Sequence, residues 1–105
     1  EAQKINQQIA ENNYQLGLVN LKNQFSQYYG QFQKLNEEID YYQKTGLNNS
    51  ESIFKTANNQ YFNGEINYLE WTLLVTQAFD IENKYVDKLK ELNDNIIELN
   101  TLKNE

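Results

Sequence analysis

The chain has 105 residues, enough for one domain, and it contains no Cys, His, Pro or Met. The absence of Cys and His excludes disulfides, zinc–thiolate sites and the commonest general base. The net charge of −6, from 15 acidic and 9 basic residues, argues against nucleic acid as a partner, because phosphate binding needs a basic face. No apolar run approaches the roughly 20 residues of a membrane span. Because position 1 is not Met, we expect a cut or processed piece of a longer protein.

The first arm of the chain has the apolar spacing of a helix from residue 2 to residue 62. Its first 24 residues carry only a thin stripe, formed by Ile5, Ile9, Leu16 and Val19. From residue 25 the apolar side chains alternate in steps of three and four, as in a coiled coil. These seam positions are Phe25, Tyr28, Phe32, Leu35, Ile39 and Tyr42, followed after a phase slip by Phe54, Ala57 and Tyr61.

The phase slip coincides with a possible break at residues 45–49, around Gly46. One interpretation is a turn, in which Gly46 caps one helix and Asn49 or Ser50 begins the next. The other is a one-residue bulge inside a continuous helix, since such bulges absorb a slip of this size. The sequence pattern leaves both alternatives open.

The strongest turn signal lies at residues 63–67, between the two arms. Gly64 adopts positive φ without steric cost, so Asn63-Gly64 is expected to cap a helix that ends at Phe62. Asn67 is predicted as the N-cap of the next helix, with Glu70 completing a capping box.

The second arm is predicted as a helix over residues 68–103. Its expected seam positions, with Glu82 in one polar slot, are Trp71, Val75, Ala78, Tyr85, Leu89, Leu92, Ile96 and Leu99. Because the first arm is longer, residues before about 25 overhang without a partner in the chain. Either the first arm folds back at Gly46 to make a three-helix bundle, or the overhang finds its partner elsewhere. The predicted fold is all-α: one domain over residues 1–105, formed by a long antiparallel coiled-coil hairpin with its tip at 63–67.

No catalytic, cofactor or metal site is expected. The acidic clusters, Glu37-Glu38-Asp40 and Glu91-Asp94-Glu98, lie on helices with basic or amide neighbours and are interpreted as solvated faces. A carboxylate-bridged metal bundle would add Glu-x-x-His pairs, which a chain without His does not have. The tip differs, because Phe62, Ile66 and Leu69 place apolar side chains at a reversal and indicate a docking surface.

Several segments together resemble a known family. The tip segment has the pattern Ala57-x-x-x-Tyr61-Phe62-x-Gly64-Glu65-Ile66-x-Tyr68-Leu69-Glu70, followed by Ala78, Tyr85 and a helix ending in Ile-Glu-Leu. Upstream lie Ile39-Asp40-Tyr41-Tyr42 and Gly46-Leu47. This pattern resembles the second periplasmic hairpin of TolC-like outer-membrane efflux proteins, especially the variant that serves heavy-metal and related resistance-nodulation-division pumps. The likeness covers roughly residues 35–102 well and residues 1–34 only by position and pattern.

The resemblance implies a periplasmic segment of a bacterial outer-membrane protein. In that family three protomers form a helical tunnel, and the hairpin tips dock on a periplasmic adaptor (membrane fusion) protein that links them to an inner-membrane pump. The matching docking residues here are Phe62, Asn63, Gly64, Glu65, Ile66, Asn67 and Leu69. The alternative from another class is a stand-alone helical scaffold that self-associates. Neither interpretation involves catalysis.

Overall fold

The computed structural model describes residues 1–104, which form helices and turns with no strand. The elements in chain order are α1 (Ala2–Tyr41), a π-helical turn (Tyr42–Gly46), α2 (Leu47–Phe62) and α3 (Tyr68–Lys103). α1 and α2 together form the first arm, and α3 packs back along both of them. The hairpin is a rod with extents of 89 × 23 × 15 Å. The predicted all-α hairpin is therefore confirmed.

The first arm is continuous, and of the two alternatives at Gly46 the structure has the bulge. Tyr42, Gly46 and Leu47 all keep right-handed helical dihedrals, with φ from −59° to −67°. A π-helical turn inserts an extra residue into the helix and so shifts the phase of every following side chain. The apolar rows on either side of residues 42–46 can then face the same partner.

Gly46 allows the Tyr42 ring to lie directly on the backbone of the π-helical turn. A Cβ at position 46 would lie 2.7 Å from Cδ1 of Tyr42, and Gly46 is buried. The Tyr42 ring also packs against Tyr85 of α3, with ring centroids 6.1 Å apart. Glycine is therefore needed here for close approach and not as a helix cap.

The apolar core is a narrow seam between the arms. Its buried apolar side chains are Leu35, Ile39, Ala57, Val75 and Ala78, and two polar residues, Ser50 and Asn95, are buried with them. Most other apolar side chains remain partly exposed, as expected when a helix has a single neighbour.

The lower half of the α3 seam differs from the predicted one. Leu89 and Ile96 are 39% and 38% exposed, whereas Lys88 and the buried Asn95 face the first arm. The inward row takes a step of three residues from Tyr85 to Lys88 where a step of four was predicted. This slip lies at the height of the π-helical turn, where the first arm changes phase and α3 changes with it.

Polar contacts cross the seam along its whole length. In order from the tip they join Trp71 to Asn58, Ser50 to the Ala78 carbonyl, Gln43 to Tyr85, Lys88 to Glu38, and Asn95 to the Tyr28 carbonyl. The Lys88–Glu38 ion pair measures 2.8 Å, and this hydrogen bond raises the pKa of Lys88 above its ordinary value. Each contact is satisfied only in one alignment of the two arms, so together they fix the register.

The overhang, which we define as residues 1–20 of the chain, has no partner within the hairpin. Every one of its residues is exposed, including the apolar stripe noted above. The overhang predicted for residues before about 25 is thus present as the N-terminal half of α1.

The continuity of the first arm predicts a long distance between its ends. Spin labels on cysteines replacing Gln24 and Glu65 should lie about 62 Å apart by helical rise. Labels replacing Glu70 and Lys103 within α3 provide a ruler at about 50 Å. Pulsed electron–electron double resonance would measure both distances. A distance below about 20 Å between the labels at positions 24 and 65 would mean that the chain folds back at Gly46.

The role of Gly46 predicts opposite effects of alanine at two glycines. Gly30→Ala adds a Cβ into open space within α1 and should raise stability by about 0.5–1 kcal/mol. Gly46→Ala drives a Cβ into the Tyr42 ring, and overpacking of about 1–3 kcal/mol should outweigh that gain. Urea denaturation of both variants would measure the difference, and equal stabilisation by both would contradict the close approach.

Candidate docking surface at the hairpin tip

The first arm ends in a Schellman cap centred on Gly64. The Gly64 N–H donates to the Tyr61 carbonyl at 3.1 Å, and the Glu65 N–H donates to the Gln60 carbonyl at 2.8 Å. Gly64 has φ of +76°, the only positive φ among the described residues. This pair of bonds satisfies the last carbonyl groups of α2 and reverses the chain within a few residues.

α3 begins with a complete capping box. The Glu70 N–H donates to Oδ1 of Asn67 at 2.8 Å, and the Asn67 N–H donates to Oε1 of Glu70 at 3.4 Å. Asn67 has extended dihedrals, as an N-cap residue does. The Glu70 carboxylate also lies in the first turn, where the helix dipole favours negative charge. The predicted capping box is confirmed.

A cluster of aromatic side chains packs together where α2 and α3 meet the turn. The Trp71 ring lies 5.4 Å from that of Tyr61 and 5.9 Å from that of Tyr68, measured between ring centroids. The Trp71 indole N–H donates to Oδ1 of Asn58 at 2.8 Å, and this bond links α3 to α2 next to the turn. The reversal is therefore held both by its caps and by the packing of these rings against one another.

Apolar side chains project from this rigid turn into solvent. Phe62 is 92% exposed, and Tyr68 and Leu69 are each 66% exposed, while Ile66 is half-buried. We define the tip surface as these four side chains. Exposure of an entire Phe ring at the end of a rod is unusual for a surface that meets only water.

The predicted tip residues divide into two groups by position. Phe62, Ile66 and Leu69 contribute apolar side chains to the tip surface, and Glu65 adds an exposed carboxylate beside them. Three others serve the turn itself: Asn63 is the C-cap of α2, Gly64 supplies the positive φ, and Asn67 caps α3. Sequence reasoning missed Tyr68, because its outward direction depends on how Trp71 packs and no local pattern indicates it.

The electrostatics of the tip are acidic and sparse. Between residues 56 and 79 the only charged side chains are Glu65 and Glu70. The closest basic residue before them, Lys55, is engaged with Glu51 at 2.9 Å. A complementary partner would therefore offer an apolar pocket rimmed by hydrogen-bond donors or basic groups.

A concave feature lies far from the tip, on the seam between α1 and α3. This open groove has a volume of about 410 Å³ and contains the Lys88–Glu38 pair and the buried Asn95. Within residues 1–104 no three acidic side chains converge as metal ligands. Over the same residues, no helix is both long and apolar enough to cross a membrane. Most residues that line the groove are charged or carry amides, and its Lys88 is already paired with Glu38 and Glu91. The tip is therefore the stronger candidate site.

Comparison of the chain with protein-family models, with curated proteins and with solved structures finds no match.

The caps predict which tip substitutions destabilise the hairpin. Gly64→Ala places a Cβ in the left-handed region and should cost about 1–2 kcal/mol. Asn67→Ala removes the N-cap oxygen and should cost about 1 kcal/mol. Asn63→Ala is the matched control, because Asn63 has helical dihedrals, and its stability should stay within about 0.5 kcal/mol of the original chain. Thermal and urea unfolding would compare the three variants, and equal losses at all three positions would contradict these cap assignments.

Proposed function

We propose that the chain is a periplasmic helical-tunnel segment of a trimeric, TolC-like outer-membrane efflux channel. Its tip surface would dock onto the periplasmic adaptor protein of a tripartite pump of the resistance-nodulation-division type. The segment would conduct substrate without any chemistry of its own, and the inner-membrane pump would supply the energy. This location, in the periplasmic portion of a bacterial outer-membrane protein, is part of the proposal.

Three features support the proposal. The tip segment from Ala57 to Glu70 resembles the second hairpin of the efflux family in its sequence pattern. The arms are unequal, since the first arm continues through α1 well beyond the end of α3. This is the arrangement expected when a long descending helix meets a shorter ascending one. The rod is long and narrow, which suits the wall of a tunnel better than a compact domain.

The observation that carries the docking role is the exposure of Phe62 and Leu69 on a turn that cannot rearrange easily. Burial of a large apolar side chain contributes roughly 1.5–3 kcal/mol, and aromatic residues often dominate interface energetics. Because both caps are already formed, docking would not have to order the turn first. A preorganised apolar surface of this kind gains affinity through lower entropic loss on binding.

A second candidate function is the self-associating helical scaffold. The observation that favours it is the overhang, whose apolar side chains are exposed along its whole length. The two candidates differ at the tip, because a scaffold that assembles through the overhang would not need an adaptor. Association through one surface can therefore be measured while the other is altered.

The efflux proposal predicts that apolar truncation at the tip abolishes docking without unfolding the rod. In the full-length protein, Phe62→Ala with Leu69→Ala should weaken adaptor binding, read as cross-linking, by at least about 30-fold, which is the effect of losing a single hot-spot side chain that contributes about 2 kcal/mol. Melting temperature should stay unchanged, because both side chains are solvent-exposed. Gly64→Asp with Ile66→Asp should abolish efflux by disrupting the turn and adding charge.

The matched control is Ile97→Ala, which truncates an apolar side chain that is 53% exposed at the far end of α3. Its adaptor cross-linking should equal that of the unaltered protein. Undiminished cross-linking and efflux in the tip variants would contradict the docking role.

A further inference from the structure

The overhang carries apolar side chains on two opposite faces of one helix. The outer row consists of Ile5, Ile9, Asn12, Leu16 and Val19, in steps of four and three residues. Tyr14 and Leu18 form an inner row that continues through Leu21 and Phe25 into the seam with α3. At about 100° per residue the two rows lie on nearly opposite sides of α1. The outer row therefore points away from α3.

The outer row is nearly symmetric about Asn12, because Ile5 and Val19 each lie seven residues from it, while Ile9 lies three and Leu16 four residues away. An antiparallel copy of the overhang would place Ile5 opposite Val19 and bring Ile9 within one residue of the position opposite Leu16. Asn12 would then lie opposite its own symmetry mate, where a single polar residue in an apolar seam fixes register. Self-complementarity of this kind is what a two-fold symmetric interface requires.

Charge separates the overhang from the rest of the rod. The overhang itself carries Glu1, Glu11 and Lys4, and Lys22 follows it directly, so residues 1–22 are balanced and the whole net charge of −6 lies beyond them. Two overhangs therefore meet without net repulsion, and the antiparallel alignment brings Glu1 close to Lys22 of the other copy. It also holds the two acidic hairpins at opposite ends of the assembly.

A parallel alignment is less favourable on the same grounds. The outer row continues down α1 through Gly30, Lys34 and Glu37. Parallel copies in register would face Lys34 with Lys34 and Glu37 with Glu37, and like charges at such positions are destabilising. The antiparallel contact ends before those residues are reached.

We propose that the outer row of the overhang binds a second copy of this chain, as an antiparallel homodimer. The inference goes beyond the efflux proposal, because it concerns a different surface and requires no adaptor. In a trimeric duct the copies would stand side by side with all tips at one end, so the two arrangements compete for α1. The dimer is the state of this chain when no neighbouring helix covers the outer row.

Sedimentation equilibrium of the 105-residue chain tests the dimer. Dimer content should rise with concentration up to about 1 mM, and Ile9→Lys with Leu16→Lys should raise the dissociation constant at least about tenfold. The matched control, Tyr14→Lys with Leu18→Lys, adds the same charges to the inner row. It should change the dissociation constant of the dimer less than about threefold. A monomer at every concentration, or equal loss in both variants, would overturn the proposal.

Cross-linking tests the antiparallel direction and does not depend on the lysine variants folding. Single-cysteine chains with Ile5→Cys and Val19→Cys are mixed and oxidised, which is straightforward because the natural chain has no Cys. The mixed 5–19 disulfide should exceed both like disulfides at least about fivefold. Predominant 5–5 and 19–19 disulfides would overturn it in favour of a parallel pair. Phe62→Ala with Leu69→Ala should leave this pattern unchanged, so failure of tip docking and failure of the dimer are distinguishable.

Discussion

The hairpin depends on the close approach of α2 and α3 at Ser50. Its hydroxyl donates to the Ala78 carbonyl at 2.8 Å and lies 3.4 Å from the Glu82 carboxylate, and the residue is only 1% exposed. Such a contact requires small side chains around it, and Ala57 and Ala78 provide them. Two helices bury little apolar surface, so the approach of their backbones at this point supplies contact that larger side chains would prevent. The aromatic residues then fill the wider parts of the seam on either side.

Register follows from the polar contacts that lie above and below this point. A purely apolar seam between two helices tolerates slippage by a heptad, because one heptad of apolar residues resembles the next. A slipped alignment would separate the partly exposed Lys88–Glu38 pair and would leave the buried Asn95 amide without its partner on the first arm. Leaving such a group unsatisfied costs more than the contact itself contributes. The tip inherits this precision, since the turn is built on helices that cannot slide past each other.

The same contacts explain which parts of the fold could be predicted from the sequence. Caps are local, so Gly64 and the Asn67–Glu70 box could be identified from a few neighbouring residues. Helical periodicity likewise predicted both arms and the overhang. The inward positions of Lys88 and Asn95 could not be predicted this way, because their partners lie on the other arm, far away in sequence. Apolar spacing instead favoured Leu89 and Ile96, and only the phase change at the π-helical turn displaces them. At the candidate site, Phe62 and Leu69 were identified as apolar residues beside a reversal, whereas the outward direction of Tyr68 depends on how Trp71 packs.

Exposed apolar side chains have different surroundings in different parts of the rod. Midway along it, Phe79, Val86 and Leu89 alternate with charged residues of both signs, which keep such a surface soluble. At the tip, the apolar side chains have only Glu65 and Glu70 for charged neighbours, and in the overhang the outer row is flanked by a balanced, sparse set. Both ends therefore lack the repulsion that discourages association. Because the ends differ in shape, one being a capped turn and the other a bare helix, they suit different partners: a pocket for the tip and another helix for the overhang.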